Sequence, residues 1–215
     1  MDVTNAFDQI GAVSRGISSR EHQGRAARVL TAQQTYPAPA EDVWDALTNP
    51  ERLPRWFLPV EGDLQVGGRY QLVGNAGGTI ERCDAPRSLA VTWEYGDEVS
   101  WVVVTLTEQD DETTMLLEHV AHVDDERWQH YGPGAVGVGW DLALMGLAHH
   151  VSTGATIDPE EGAAWATTTE GVGFVERVSE AWAEASAAAG TDPDEARLAG
   201  RRATAFYTGQ PEPEA

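Results

Sequence analysis

Residues 134–153 read GAVGVGWDLALMGLAHHVST, and the architecture follows from them. At about 100° per residue in a helix, Val136, Trp140, Ala143, Leu147 and Val151 form one stripe. Val138, Leu142, Met145 and His149 form a second stripe on nearly the opposite side. A helix that is apolar on two faces is sandwiched between two layers. One face can lie on a sheet, and the chain after Gly154 can cover the other. Gly137, Gly139 and Gly146 weaken helix propensity and suit close approach of neighbours.

The preceding stretch, 62–123, has the texture of strands. Gly67-Gly68, Gly77-Gly78, Asp84-Ala85-Pro86, Gly96-Asp97 and Asp110-Asp111 punctuate it. Between them lie strands predicted over 69–73, 79–83, 89–95, 100–107 and 113–123, the pattern of an antiparallel meander. Alternation puts Leu89, Val91 and Trp93 on one side of their strand, Val102, Val104 and Leu106 on one side of the next, and Met115, Leu117 and His119 on one side of the last. Further upstream, 28–36 reads as a strand broken by Pro37-Ala38-Pro39. A short helix with acidic Glu41 and Asp42 in its first turn follows. A second short helix is expected from Pro50 to Phe57.

The chain divides into an N-terminal arm over 1–27, one domain over 28–153, a helical extension over 154–209 and a disordered Pro/Glu-rich tail over 210–215. In the arm, Phe7, Ile10, Val13 and Ile17 recur at helical spacing. In the extension, capping boxes at Asp158-Pro159-Glu160-Glu161, Thr167-Thr168-Thr169-Glu170 and Asp192-Pro193-Asp194-Glu195 mark helix starts.

Charge narrows the function. The 215 residues carry a net charge of −21, and all 14 basic residues are Arg. Such a field repels phosphate backbones and anionic lipid surfaces, so nucleic-acid and membrane binding are poor readings. No apolar run could span a bilayer and no secretory signal is visible. The lone Cys83 forbids an intrachain disulfide, and a reducing cytoplasm fits best. No Cys/His spacing makes a zinc site, and neither a metal nor a cofactor is expected.

The order of elements gives an α+β fold, a sheet with one apolar face and a long helix laid across it. If the sheet curves around the helix, an apolar cavity can form between them. Here the sequence resembles a known superfamily, the SRPBCC or START-like (Bet v 1-like) helix-grip proteins. Within it, the chain is similar to the branch named for the activator of heat-shock-protein-90 ATPase. The resemblance rests on Tyr36-Pro37-Ala38-Pro39-Ala40-Glu41-Asp42-Val43-Trp44 through Asn49-Pro50, on Leu53-Pro54-Arg55-Trp56-Phe57, and on Gly62-Asp63-Leu64-Gln65-Val66-Gly67-Gly68-Arg69-Tyr70. It continues in Pro86-Arg87-Ser88-Leu89, Thr92-Trp93-Glu94, Leu117-Glu118-His119 and Gly139-Trp140. It implies a helix-grip fold, with extra C-terminal helices outside the common pattern, as in a bacterial subgroup.

The resemblance also implies a hydrophobic ligand cavity. The ligand-facing set expected from it and from the inner strand faces is Trp56, Phe57, Tyr70, Trp93, Val102, Val104, Met115, Leu117, His119, Trp128, Trp140 and Leu144. Residues 124–134 would form the cavity mouth. The expected partner is a small hydrophobic or aromatic molecule, and a homodimer or a protein partner for the tail stays open. One alternative is an enzyme of the polyketide cyclase, dehydratase or hydrolase kind, with His119, Asp141 or Glu118 moving a proton. No paired nucleophile and base is readable, so binding ranks above catalysis. A second alternative is an interaction module like the chaperone activator. Bland readings compete at several positions: His119 as a hydrogen-bonded core histidine, Asp141 as an exposed or tail-facing carboxylate, Cys83 as a small buried residue.

Overall fold

Eight antiparallel strands make one curved sheet, and a long helix crosses its apolar face. The structure is a computed structural model that describes residues 4–157 and 159–213. In chain order the elements are α1 (Thr4–Ala12), β1 (Ser14–His22), β2 (Arg25–Tyr36), α2 (Ala40–Thr48), β3 (Val60–Gly62), β4 (Arg69–Leu72), β5 (Gly77–Asp84) and β6 (Ser88–Tyr95). They continue with β7 (Glu98–Gln109), β8 (Glu112–His122), α3 (Asp125–Tyr131), α4 (Gly134–Thr153), α5 (Pro159–Ala166), α6 (Thr169–Ala188) and α7 (Pro193–Thr208). The sheet order is β1-β2-β8-β7-β6-β5-β4-β3.

The strand registers bring the alternating apolar residues together on one face. Leu89 pairs with Val104 and Val91 with Val102. Val102 then pairs with His119, Val104 with Leu117 and Leu106 with Met115. The opposite face carries a smaller cluster of Ala27, Val29, Trp101 and Val120. Trp101 is buried there because the His22 ring lies 4.3 Å away and the His122 ring 5.0 Å away.

Helix α4 spans the residues expected for it and ends on Gly154 in the left-handed conformation that glycine adopts without strain. Both its faces are covered. Trp140 meets the sheet by donating to His119 of β8, and Leu144 and Leu147 join the core. Against Gly137, α6 presses so close that a Cβ there would stand 2.4 Å from the Trp182 ring. Helices α6 and α7 start at side-chain caps, Thr168 accepting from the Gly171 N–H and Asp192 from Asp194 and Glu195. The capping box at Asp158 falls partly outside the described residues.

Several expectations need correction. The N-terminal helix ends at Ala12 and does not reach Ile17; residues 14–22 form an edge strand of the sheet, and β2 begins at Arg25. The sequence SRGISSREH has too few apolar residues to show a period, because this strand is mostly exposed. The second short helix is a single 3-10 turn, Leu53–Arg55. The three-residue strand β3 carried no pattern to read. Cys83 is exposed, not buried. In the C-terminal segment, Glu212 accepts from Tyr131 (3.1 Å) and contacts His130 (3.0 Å), while residues 214 and 215 lie outside the described set. Among the described residues, no helix is long and apolar enough to cross a membrane.

Asp141 is fully buried, not exposed, and its charged partner is Arg15 on β1. The Arg15 guanidinium grips both carboxylate oxygens, one of them through Nε at 3.1 Å, and Trp182 of α6 donates its indole N–H at 2.7 Å. Arg15 also donates to the carbonyls of Ile10 and Val13. Burial pushes the Asp141 carboxyl above its ordinary range, against the pull of Arg15 and Trp182. Removing one partner of such a pair leaves an uncompensated buried charge. Arg15→Met should therefore cost about 3–5 kcal/mol in urea unfolding, and Arg15→Met with Asp141→Leu should recover a large part of that loss. A loss under about 1 kcal/mol for the single variant would mean the pair carries no structural weight.

Candidate functional site

Where the N-terminal end of α4 lies against the sheet, the two do not close completely. A cavity of about 600 Å³ opens between the ends of β2, β6, β7 and β8 on one side and α3, α4 and α7 on the other. Its inner wall holds Trp93, Trp140, His119, Ser100, Leu30 and Phe57. The Trp93 and Trp140 rings lie 5.0 Å apart and tilted. At its mouth stand Trp128, with Arg28 4.5 Å over its ring, and Arg127, which pairs with Glu98.

The rim is apolar. Tyr95, Val99, Val123, Val136 and Phe206 are five of the eight large hydrophobic residues that the described chain exposes, and all five line this cavity. Tyr95 and Phe206 are each 61 % exposed. Large apolar side chains gathered around one opening mark a binding surface more than scattered ones do.

A chain of hydrogen bonds fixes the inner wall. The Trp140 indole N–H can only donate, so at 2.9 Å the His119 Nδ1 accepts. The proton of His119 therefore sits on Nε2, which donates to Ser100 Oγ at 2.8 Å, and Ser100 donates to the Trp93 carbonyl at 3.1 Å. Burial lowers the His119 pKa from 6.5 to about 4. The ring is neutral at physiological pH. Neither nitrogen can take a substrate proton without first breaking one of these bonds.

Of the residues expected to face a ligand, Phe57, Trp93, His119, Trp128 and Trp140 line the cavity. Tyr70, Val102, Val104, Met115, Leu117 and Leu144 are buried in the main core between sheet and α4, and Trp56 packs against it. Trp56 spends its indole N–H on the Ala46 carbonyl at 2.9 Å, and its own carbonyl fills the space beside Gly146. Tyr70 donates to the Thr92 carbonyl at 2.8 Å. The stretch 124–134 contributes Asp124, Trp128, Gly132 and Pro133 to the wall, and Asp124 also caps α3.

The sequence reading missed Arg25, Arg28, Tyr95, Val99, Phe206 and Tyr207 as lining residues. Tyr95 and Val99 flank the Gly96-Asp97 turn, and Phe206-Tyr207 ends an otherwise polar-faced helix. Apolar residues at a hairpin tip and at a helix end, where burial is not automatic, are the signal that could have found them.

Three further ionisable side chains, His150, His122 and Glu118, are each held by a neighbour. His150 is buried, accepts from Arg52 Nε at 3.0 Å and contacts the Ala155 carbonyl at 2.7 Å. His122 lies on the other face of the sheet from His119 and contacts the His22 carbonyl at 3.1 Å. Glu118 pairs with Arg20 on that same outer face. Among the described residues, no group of three or more His, Cys, Asp or Glu could hold a metal ion.

The His119 shift links stability to pH. In the unfolded chain the ring titrates near 6.5, in the folded protein only near 4. Above 6.5 neither state binds the proton and the full stability is present. As the pH falls from 6.5 to 4 the unfolded state alone takes it up, and stability drops by a total on the order of 3 kcal/mol. His119→Asn keeps an acceptor for Trp140 and should flatten this part of the urea-stability profile. An unchanged slope would show that His119 is not the group responsible.

Comparison with known proteins places this geometry. The family model described as "Activator of Hsp90 ATPase homolog 1-like protein" matches residues 37–152. The crystal structure of CalU16 from Micromonospora echinospora is 35% identical, with a TM-score of 0.62, covering 81% of this chain and 98% of that one. The solution structure of CalU16 is 34% identical, with a TM-score of 0.69, covering 83% and 97%. DynU16, a protein of the dynemicin biosynthetic locus, shares the fold at 20% identity and a TM-score of 0.51, over 60% of this chain and 50% of its own. Comparison with curated protein sequences returns no match. With more than half of the chain matched by the family model, and a relative above 30% identity covered over most of both lengths, the protein belongs to the family of Activator of Hsp90 ATPase homolog 1-like proteins, with the SRPBCC helix-grip fold.

Proposed function

We propose that this protein binds a small hydrophobic, aromatic molecule in the cavity at the open end of the grip. The observation that carries the reading is the ring of exposed apolar residues around an opening whose inner wall is aromatic. Leaving Tyr95, Val99, Val123, Val136 and Phe206 in water costs free energy that a bound apolar surface would recover, at about 25 cal/mol for each Å² covered. The tilted Trp93 and Trp140 rings offer edges and faces to a planar guest. A volume of about 600 Å³ lies within the range of small-molecule sites.

Binding is favoured over turnover because the ionisable group deepest in the cavity, His119, is neutral and engaged at both nitrogens. The relay holds the Trp140 ring and ties it through His119 and Ser100 to the Trp93 backbone, which suits recognition. The exposed thiol of Cys83 fits a reducing compartment, so we place the protein in the cytoplasm as part of the same proposal.

The neutral fluorophore N-phenylnaphthylamine tests the reading. It should bind with micromolar affinity and brighten on binding. Ala121 lies on the concave face of β8 and lines the cavity. Ala121→Trp should fill the space and weaken binding by about tenfold or more, while thermal unfolding stays within a few degrees. Binding of the probe with equal affinity to the filled variant would place it elsewhere and remove the proposal.

A further inference from the structure

We infer that the guest of this cavity is a neutral aromatic molecule carrying a hydroxyl group, which donates a hydrogen bond to Ser100 Oγ and accepts one from the Trp93 indole N–H. This rests on the binding reading above and narrows its ligand class.

Hydrogen-bonding capacity on the inner wall is nearly all spent. The Trp140 N–H goes to His119 Nδ1, and the His119 Nε2–H goes to Ser100 Oγ. Ser100 spends its own proton on the Trp93 carbonyl. A serine hydroxyl has one donor and two acceptor positions, so one lone pair of Ser100 stays open. The Trp93 indole N–H can only donate, and among the described residues it meets no acceptor. Both residues line the cavity. They stand directly opposite each other in the β6–β7 pairing, where side chains on one face lie about 5 Å apart. Leu30 and Phe57, the other residues of the inner wall, bring no polar side-chain atom.

The two unused positions decide which guest fits. A hydrocarbon that covers them leaves an acceptor and a donor unpaired out of water, which weakens its binding. A carbonyl would satisfy the indole and leave the serine lone pair empty. A hydroxyl is the smallest group that meets both, because it donates one hydrogen bond and can accept others. The group is neutral for a second reason. Burial holds the neighbouring His119 uncharged, so an ionised group there would find no opposite charge on the inner wall.

A matched pair of probes tests the selection. 2-Naphthol and 2-methylnaphthalene have nearly the same shape and differ by a hydroxyl against a methyl. Displacement of N-phenylnaphthylamine gives the affinity of each. The wild-type protein should bind 2-naphthol about tenfold more tightly, although the methyl compound is the more hydrophobic. Ser100→Ala and Trp93→Phe should each lower that ratio about fivefold. 2-Methoxynaphthalene, which offers an oxygen to Trp93 but no proton to Ser100, should fall between the two. Equal affinities for 2-naphthol and 2-methylnaphthalene in the wild type, or losses in both variants shared equally by the two probes, would overturn the hydroxyl selection while leaving the aromatic site standing. Failure of N-phenylnaphthylamine to bind the wild type would overturn the site itself. Should Ser100→Ala not fold, Trp93→Phe and the wild-type ratio decide the matter.

Discussion

The structure depends on what it takes to bury helix α4 on both sides. Such a helix has no solvent face on which to place a charge, yet Asp141 lies in its middle, fully buried. An ionised carboxylate out of water costs several kcal/mol unless charge and hydrogen bonds match it. Here the match comes from opposite ends of the sequence, Arg15 from the first strand and Trp182 from the penultimate helix. The reciprocal amide pair of Gln9 and Gln34, at 2.7 and 2.9 Å, ties α1 to β2 in the same region. The segments outside the family match, before residue 37 and after 152, are thus locked into its core.

That packing also determines where a cavity can exist. Along most of α4 the inner strand residues and the helix interdigitate, and the space is filled by Val102, Val104, Met115, Leu117, Leu144 and Leu147. At the N-terminal end of α4, where Gly132, Pro133 and Ala135 line the wall, a cavity opens. The C-terminal extension then acts twice. Trp182 covers the back of α4, and Phe206 and Tyr207 form part of the cavity wall. Tyr207 is held there by donating to the Ala135 carbonyl at 3.0 Å.

What the sequence made legible follows the same physics. Strong periodicity survives where burial is one-sided or complete, so α4 and the strands from β5 to β8 stood out, and alternation sorted the inner faces of β6, β7 and β8 correctly. Strand β1 did not, because its pairing energy comes from backbone hydrogen bonds along a polar, exposed edge. The Arg15–Asp141 pair spans 126 positions and leaves no local trace. For the cavity, alternation could say that Val104 and Trp93 share a face, but not how far the helix stands from each. Side-chain volume at the α4 end decides that, and the contribution of Phe206 depends on a tertiary contact no local pattern encodes.

The central claim is that an aromatic guest sits between the sheet and the start of α4. Nuclear magnetic resonance of the eight tryptophan indole N–H groups, followed while N-phenylnaphthylamine is added, tests it most directly. The account predicts shifts at Trp93, Trp128 and Trp140, with Trp101 on the outer face and Trp182 behind α4 unmoved. Shifts centred on Trp101 or Trp182, or a saturating titration that leaves Trp93 and Trp140 in place, would contradict it.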